Sequence, residues 1–211
     1  MSCHCEQRSD EAVWRRHSGE ITAPPGGGSP RQPWENAVIY MVEMDMRLDD
    51  KEAEWHEWYV AHIRVLLSVP GFRASQRFQS ILPAPAPYLA LHQVDSGAIF
   101  DSPEYRSRGG PGSTGDWRER HSNWRRNLLE GLDATPEVAP KSHLLRLENA
   151  RDVALPAGVS LAWTKAVGLD RDAQEFGLAV IDDPAPLLDL ARRDTRVRLY
   201  HPISEKLRET A

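Results

Sequence analysis

Between Asn36 and Val94 the hydrophobic period of the chain changes twice, and this limits the folds open to it more than any other feature. Residues 37–45, Ala-Val-Ile-Tyr-Met-Val-Glu-Met-Asp, are apolar, partly β-branched and polar only at the far end, which reads as a buried strand. Asp49-Asp50 then marks a helix start, since acidic residues complement the helix dipole there. No Gly or Pro follows until Pro70-Gly71 stops the run. At 100° per residue Trp55, Trp58, Tyr59, His62, Val65, Leu66 and Val69 share one stripe, with His62 near its middle. Glu57, Ala61, Arg64 and Ser68 point the other way. From 72 to 81 the period becomes two: Phe72, Ala74, Gln76 and Phe78 alternate with Arg73, Ser75, Arg77 and Gln79. The Pro-Ala turn 83–87 and the apolar run 88–94 complete a hairpin.

Asp95-Ser96 caps a further helix to about Arg106, interrupted at Ser102-Pro103. The Gly-rich loop 109–115 lacks the Lys-Ser/Thr end of a phosphate loop and follows a helix, which excludes a nucleotide reading. Residues 117–132 form a final strand or a helix; periodicity does not decide. The order β-α-β-β-α-β is ferredoxin-like, an α+β pattern with both helices on one face of a four-stranded sheet. Part of it repeats. Tyr88 to Asp101 lies 88 positions before Phe176 to Asp189, and both segments run strand, Asp, turn, helix. Around the second copy, 144–147, 159–167 and 196–200 read as strands and 187–193 as a helix. Only 149–158, with Pro156 inside it, stands where the long helix would be. The expected organisation is a flexible arm over 1–33, a ferredoxin-like half over 34–135 that carries a pocket, and a degenerate second half over 141–211, fused into one barrel.

The composition removes several functions. A net charge of -5 gives no basic footprint for nucleic acid, and no apolar run approaches the eighteen residues of a membrane span. The opening residues lack a signal-peptide core, which points to the cytoplasm. Arg outnumbers Lys by 22 to 4, in keeping with a GC-rich bacterial genome. Both cysteines sit in Cys3-His4-Cys5, so the body of the fold has no disulfide or cysteine-based zinc framework; the triplet with His17 could hold a soft metal, but the spacing favours no site, and no metal is expected. Asp49-Asp50 and Asp182-Asp183 are explained as helix starts.

Glu54-Trp55-His56-Glu57-Trp58-Tyr59-Val60-Ala61-His62-Ile63, followed by Leu66-Leu67-Ser68-Val69-Pro70-Gly71-Phe72, resembles the dimeric α/β-barrel superfamily and its EthD-like branch. The likeness continues through Tyr88-Leu89-Ala90-Leu91 and Asp101-Ser102-Pro103-Glu104-Tyr105, covering about 36–130. It implies two ferredoxin-like units packed sheet to sheet, here in one chain. The superfamily's activities include cofactor-independent monooxygenases, isomerases, polyketide cyclases, dehydratases and haem enzymes. Residues 141–204 depart from the pattern by lacking the W-Y-x-x-H helix, which implies one pocket per chain, in the first half.

An imidazole among Trp55, Trp58, Tyr59 and Leu66 must be hydrogen-bonded in a core or line a cavity, because an unpaired buried polar group costs about 1–3 kcal/mol. The resemblance favours the cavity, and burial would keep His62 a neutral general base at pH 7. Tyr59 either donates a hydrogen bond to a developing enolate or is a core aromatic. His92, on one face with Tyr88 and Ala90, is a second acid/base candidate. The expected binding wall is Trp55, Trp58, Tyr40, Leu66, Arg77, Tyr88 and Trp117, with Trp117, Arg118 and His121 in a segment that reads as exposed or as closing over a ligand. A buried Arg77 would want a carboxylate from the substrate or from the protein, for example Glu43 or Asp45. The expectation is a biosynthetic enzyme without cofactor, acting on a hydrophobic, aromatic or polyketide-like molecule by His-mediated isomerisation, cyclisation or dehydration. A monooxygenase on a similar substrate and a non-catalytic carrier are the alternatives. A bare apolar face on the second half would make a homodimer.

Overall fold

The computed structural model describes residues 38–47 and 50–209. The expected arm, with Cys3-His4-Cys5 and His17, lies outside them. Along the first half run β1 (Ile39–Met46), α1 (Glu52–Leu67), β2 (Phe72–Ser80), β3 (Tyr88–Val94), a 3-10 turn (Gly97–Asp101), α2 (Pro103–Arg108), a kinked 3-10 segment (Pro111–Arg120) and β4 (His121–Glu130). The second half has β5 (His143–Glu148), β6 (Ala162–Leu169), β7 (Glu175–Ile181), a 3-10 turn (Ala185–Leu187), α3 (Leu188–Arg193) and β8 (Val197–Pro202), followed by the short β9 (Leu207–Arg208).

The strands are hydrogen-bonded in the order β3-β1-β4-β6-β7-β5-β8-β2, and β2 pairs back to β3. Eight antiparallel strands therefore close a barrel with no free edge at β3 or β2. Within it β4-β1-β3-β2 and β8-β5-β7-β6 have the same internal order, so the 88-residue offset corresponds to a repeated topology. The seams are β4 with β6 and β2 with β8.

Each strand has a barrel face and an outer face. Ile39, Met41, Phe78, Leu89, Leu91 and Leu129 meet Leu144, Phe176, Leu178 and Tyr200 inside. Outside, α1 and α2 cover the first half. Among the described residues no long helix covers the corresponding face of the second half, but the face is not bare. Val153, Leu155, Val159 and Leu161, from the segment between β5 and β6, pack with α3 on Leu145, Leu147, Ala179, Val197 and Leu199. The observation that pointed to an apolar dimer face is thereby removed.

One end of the barrel interior is ionic. Glu43 and Arg146 are fully buried. Arg146 contacts Glu43 at 3.3 Å and Glu148 at 2.7 Å; Arg125 reaches Glu43 at 3.1 Å and Glu148 at 2.7 Å and pairs with Asp172. The Tyr200 hydroxyl donates to Glu43 at 3.2 Å, and Arg198 lies 3.8 Å from it. Burial works against the Arg146 charge, yet Glu43 and Glu148 outweigh it and hold the guanidinium above its ordinary pKa.

These contacts correct the placing of Arg77. It does not meet Glu43 or Asp45, because it faces α1 and not the barrel. A bulge between Phe72 and Ala74 puts Phe72 on the helix side, while Ala74, Gln76 and Phe78 turn inward and Ser75 and Arg77 outward. Arg77 lies over the rings of Tyr59 (4.0 Å) and Trp55 (4.8 Å), with its Nη2 3.1 Å from His56 Nδ1. Burial lowers its pKa to about 10.

The α1 stripe is also shifted. Trp55, Tyr59, Ile63 and Leu66 are buried, whereas Val65 is 40% exposed and Trp58 and His62 are half-buried. His62 thus stands on the shoulder of the helix instead of its centre. Gly71, with φ +96, makes the turn from α1 into β2, and a Cβ there would lie 3.1 Å from Ile99 Cδ1. Gly71→Ala should cost about 1–2 kcal/mol of stability, read as a lower urea midpoint. An unchanged midpoint would show that the turn relaxes freely.

Candidate functional site

The shoulder of α1 faces a cavity outside the barrel, between sheet and helices. β1 contributes Tyr40, Val42 and Met44, and α1 contributes Trp58, Tyr59, His62 and Leu66. His92 comes from β3 and Tyr105 from α2; His121, Trp124 and Arg126 come from β4, and Gly109, Gly110 and Thr114 close the remaining side. These side chains converge because Tyr40 and Val42 lie opposite His92 and Ala90 on β3 and opposite Leu128 and Arg126 on β4. Cross-strand partners share a face, so the period-two pattern of three strands delivers one polar floor beneath α1.

Three histidines share this cavity. The His62 ring stacks on Trp58, with centroids 5.1 Å apart and planes 9° apart. His92 is fully buried and stacks on Tyr40 at 5.2 Å. His121 meets the edge of Trp124 at 4.6 Å. Burial lowers the pKa of His62 to about 4, and burial together with the nearby His62 lowers His92 to about 3 and His121 to about 4. All three are neutral at pH 7. Burial raises the phenols of Tyr59, Tyr40 and Tyr105, and Tyr40 is hydrogen-bonded to Tyr105. Arg126 forms the base of the floor, with Asp170 behind it at 3.9 Å.

The cavity is small, and four polar atoms of its lining are unsatisfied. Its volume is about 30 Å³, the share of one liquid water molecule. His92 Nδ1, both ring nitrogens of His121 and Trp124 Nε1 are buried without a hydrogen-bond partner. Such atoms in one place mark a site for water or ligand. A drug-sized ligand needs roughly 300–1,000 Å³, so its entry requires the wall to open. The wall with neither an α-helix nor a sheet ladder is the 3-10 segment after Gly110, kinked at Gly115 (φ 54, ψ -140). Trp117 of that segment rests on Trp58 at 6.2 Å. A larger open groove of about 860 Å³ includes Glu130, Arg151, Trp163, Lys165 and Arg171, but none of the unpartnered buried atoms borders it. Arg151 there is already paired with Glu175.

Of the residues expected from sequence, His62, Tyr59, His92, Trp58, Tyr40 and Leu66 line the cavity. Trp55 and Arg77 stand behind Tyr59 and do not reach it. Tyr88 is turned toward Glu52 (3.3 Å), and Trp117 backs Trp58 from outside. Sequence reasoning did not assign Tyr105, Trp124 and Arg126 to the site, and it left His121 undecided. The two-residue step from Trp124 to Arg126 was their available signal once that stretch is known to be a strand. Among the described residues no group of three or more His, Cys, Asp or Glu side chains is placed to hold a metal ion. No helix there is long and apolar enough to cross a membrane.

Buried neutral histidines give the fold a pH dependence. The unfolded chain binds protons on these side chains below about pH 6.5, while the folded chain resists until about pH 3–4. Their contribution to stability is complete above pH 6.5 and is lost as pH falls. For the fully buried His92 the loss should reach about 2 kcal/mol by pH 5, with His62 and His121 adding in the same direction. Urea midpoints at pH 7 and pH 5 should converge in His92→Gln relative to wild type. An equal pH effect in both would contradict this assignment.

The closed antiparallel barrel with its outer helices defines the class: an α+β fold of the dimeric α/β-barrel type, with both halves in one chain. The sequence matches no protein-family model, and no curated protein matches it significantly. Among solved structures it is similar to an anthrone oxidase-like protein, with TM-score 0.56 and 12% identity over 86% of this chain and 97% of that one. It is also similar to a protein from Lactobacillus acidophilus NCFM provisionally described as a monooxygenase, with TM-score 0.50 and 9% identity over 84% of this chain and 98% of that one. At these identities the likeness concerns the fold.

Proposed function

We propose that the chain is a cofactor-independent enzyme of the EthD-like branch that modifies a hydrophobic, aromatic or polyketide-like molecule, with His62 as general base. The supporting observation is the neutral imidazole of His62 at the cavity edge, beside the Tyr59 phenol and an apolar wall of Val42, Met44, Leu66 and Trp58. A neutral imidazole accepts a proton from an acidic C–H or O–H group, and a phenol that keeps its proton can donate a hydrogen bond to the oxyanion that develops. Isomerisation, cyclisation and dehydration all begin with that step. His92, beneath Tyr40, is the candidate to return the proton.

A second reading keeps the first step and lets molecular oxygen react with the resulting carbanion or phenolate. The two solved neighbours, described as oxidase-like and as a monooxygenase, favour it. Mass spectrometry of a panel of hydroxylated polycyclic aromatics and polyketide chains incubated with the protein, with an oxygen electrode in parallel, separates the readings. Unchanged mass in a rearranged product, or loss of water, without oxygen consumption supports isomerisation, cyclisation or dehydration. Oxygen uptake with gain of oxygen supports the second reading. A panel that is bound and recovered chemically unchanged would make the protein a carrier.

A further inference from the structure

The ligand that enters this cavity meets no carboxylate. Its titratable and charged lining is Tyr40 from β1, Tyr59 and His62 from α1, His92 from β3, Tyr105 from α2, and His121 and Arg126 from β4. Asp170 stands behind Arg126 and also accepts from the Arg126 backbone N–H at 2.7 Å. Four buried polar atoms at the cavity lack partners: Trp124 Nε1, His92 Nδ1, and Nδ1 and Nε2 of His121. The indole N–H can only donate, and each imidazole nitrogen becomes a donor once the ring is protonated. A carboxylate has two oxygens and about four lone-pair sites, and it can accept from the indole N–H, from His92 Nδ1 and from one of the two His121 ring nitrogens, which point in different directions. At about 30 Å³ the cavity excludes a ring system, and even a carboxylate head group enters only as the wall opens.

We propose that this cavity is a carboxylate site, and that the molecule it takes is an apolar organic acid whose head group lies among His92, His121 and Trp124. The body of the acid lies along Val42, Met44, Leu66 and Trp58 and displaces the segment carrying Trp117. This assignment rests on the reading of the cavity as the ligand site and names what that ligand carries. An anion between the rings reverses the effect of burial on the nearest imidazole, so binding takes up a proton. Charge-assisted hydrogen bonds replace unmet ones, which favours the anion over a neutral isostere.

Titration calorimetry of the full chain with 2-naphthoate, 2-naphthamide and 2-naphthylmethylammonium, at pH 5.5, 6.5 and 7.5 and in two buffers of different ionisation heat, tests it. At pH 6.5 the carboxylate should bind about tenfold more tightly than the carboxamide. It should take up about one proton and weaken toward pH 7.5, and the ammonium compound should not bind. His121→Phe, and independently Trp124→Phe, should weaken the carboxylate severalfold more than the carboxamide. His62→Trp, which fills the cavity from the exposed shoulder of α1, should abolish binding of both. Equal affinity for carboxylate and carboxamide, or carboxylate binding without proton uptake, overturns the carboxylate assignment and leaves the ligand-site reading intact. Undiminished binding to His62→Trp, or no binding of any of the three compounds, overturns both.

Discussion

Glu43→Ala is expected to cost about 3–5 kcal/mol, enough to unfold much of a marginally stable chain at ambient temperature. Glu43 is 1% exposed and is shared by Arg146, Arg125, Arg198 and the Tyr200 hydroxyl. Without it Arg125 keeps Glu148 and Asp172, Arg198 keeps the Pro85 and Ala86 carbonyls, and the fully buried Arg146 is left with Glu148 alone. Arg146→Met should cost less, because Glu43 keeps Arg125 and Tyr200 and the new side chain still packs on Phe176, over whose ring Arg146 lies at 5.4 Å. Urea denaturation followed by far-UV circular dichroism gives both values. A loss below about 1 kcal/mol for Glu43→Ala would mean that water enters the barrel end and solvates the arginines.

His62→Ala is expected to lower turnover of the substrate identified in the mass assay by about 10²–10⁴-fold, the usual worth of a positioned general base. The stability change should be small, since His62 is half-buried on the shoulder of α1 and makes its main contact by stacking on Trp58. Arg77→Met should change turnover far less, because Arg77 lies behind Tyr59, away from the cavity. Steady-state rates of the two variants at equal folded fraction provide the comparison. Wild-type turnover in His62→Ala would remove His62 from the chemistry.

Much of the first half was legible because local signals there do not compete. Pro70-Gly71 ends α1 where the sequence punctuates it, and the Pro-Ala turn sets off the apolar run of β3 as the partner of β2. β4 was ambiguous for a physical reason: Arg126, Asn127, Leu128 and Leu129 are all buried, because the strand sits between β1 and β6 with α1 on one side and the barrel on the other. A strand buried on both faces loses its alternation. Ambiguity about β4 hid Trp124 and Arg126 from the site. Arg77 was misplaced because a single bulge at Phe72 reverses which residues of β2 face inward, and nothing in the local pattern marks it.

The sequence by itself determined the α+β class, the repeated strand order, and a helix that places Trp58, Tyr59 and His62 near one another. Those follow from periodicity and turn chemistry, which act over a few residues. Only the tertiary structure decided that the barrel closes through β4 with β6 and β2 with β8, and that His62 stands at a cavity edge instead of in the middle of a core stripe. It also decided that His92, His121 and Trp124 meet there with their polar atoms unpaired. These depend on register between segments dozens of residues apart, where one bulge changes which side chains share a face.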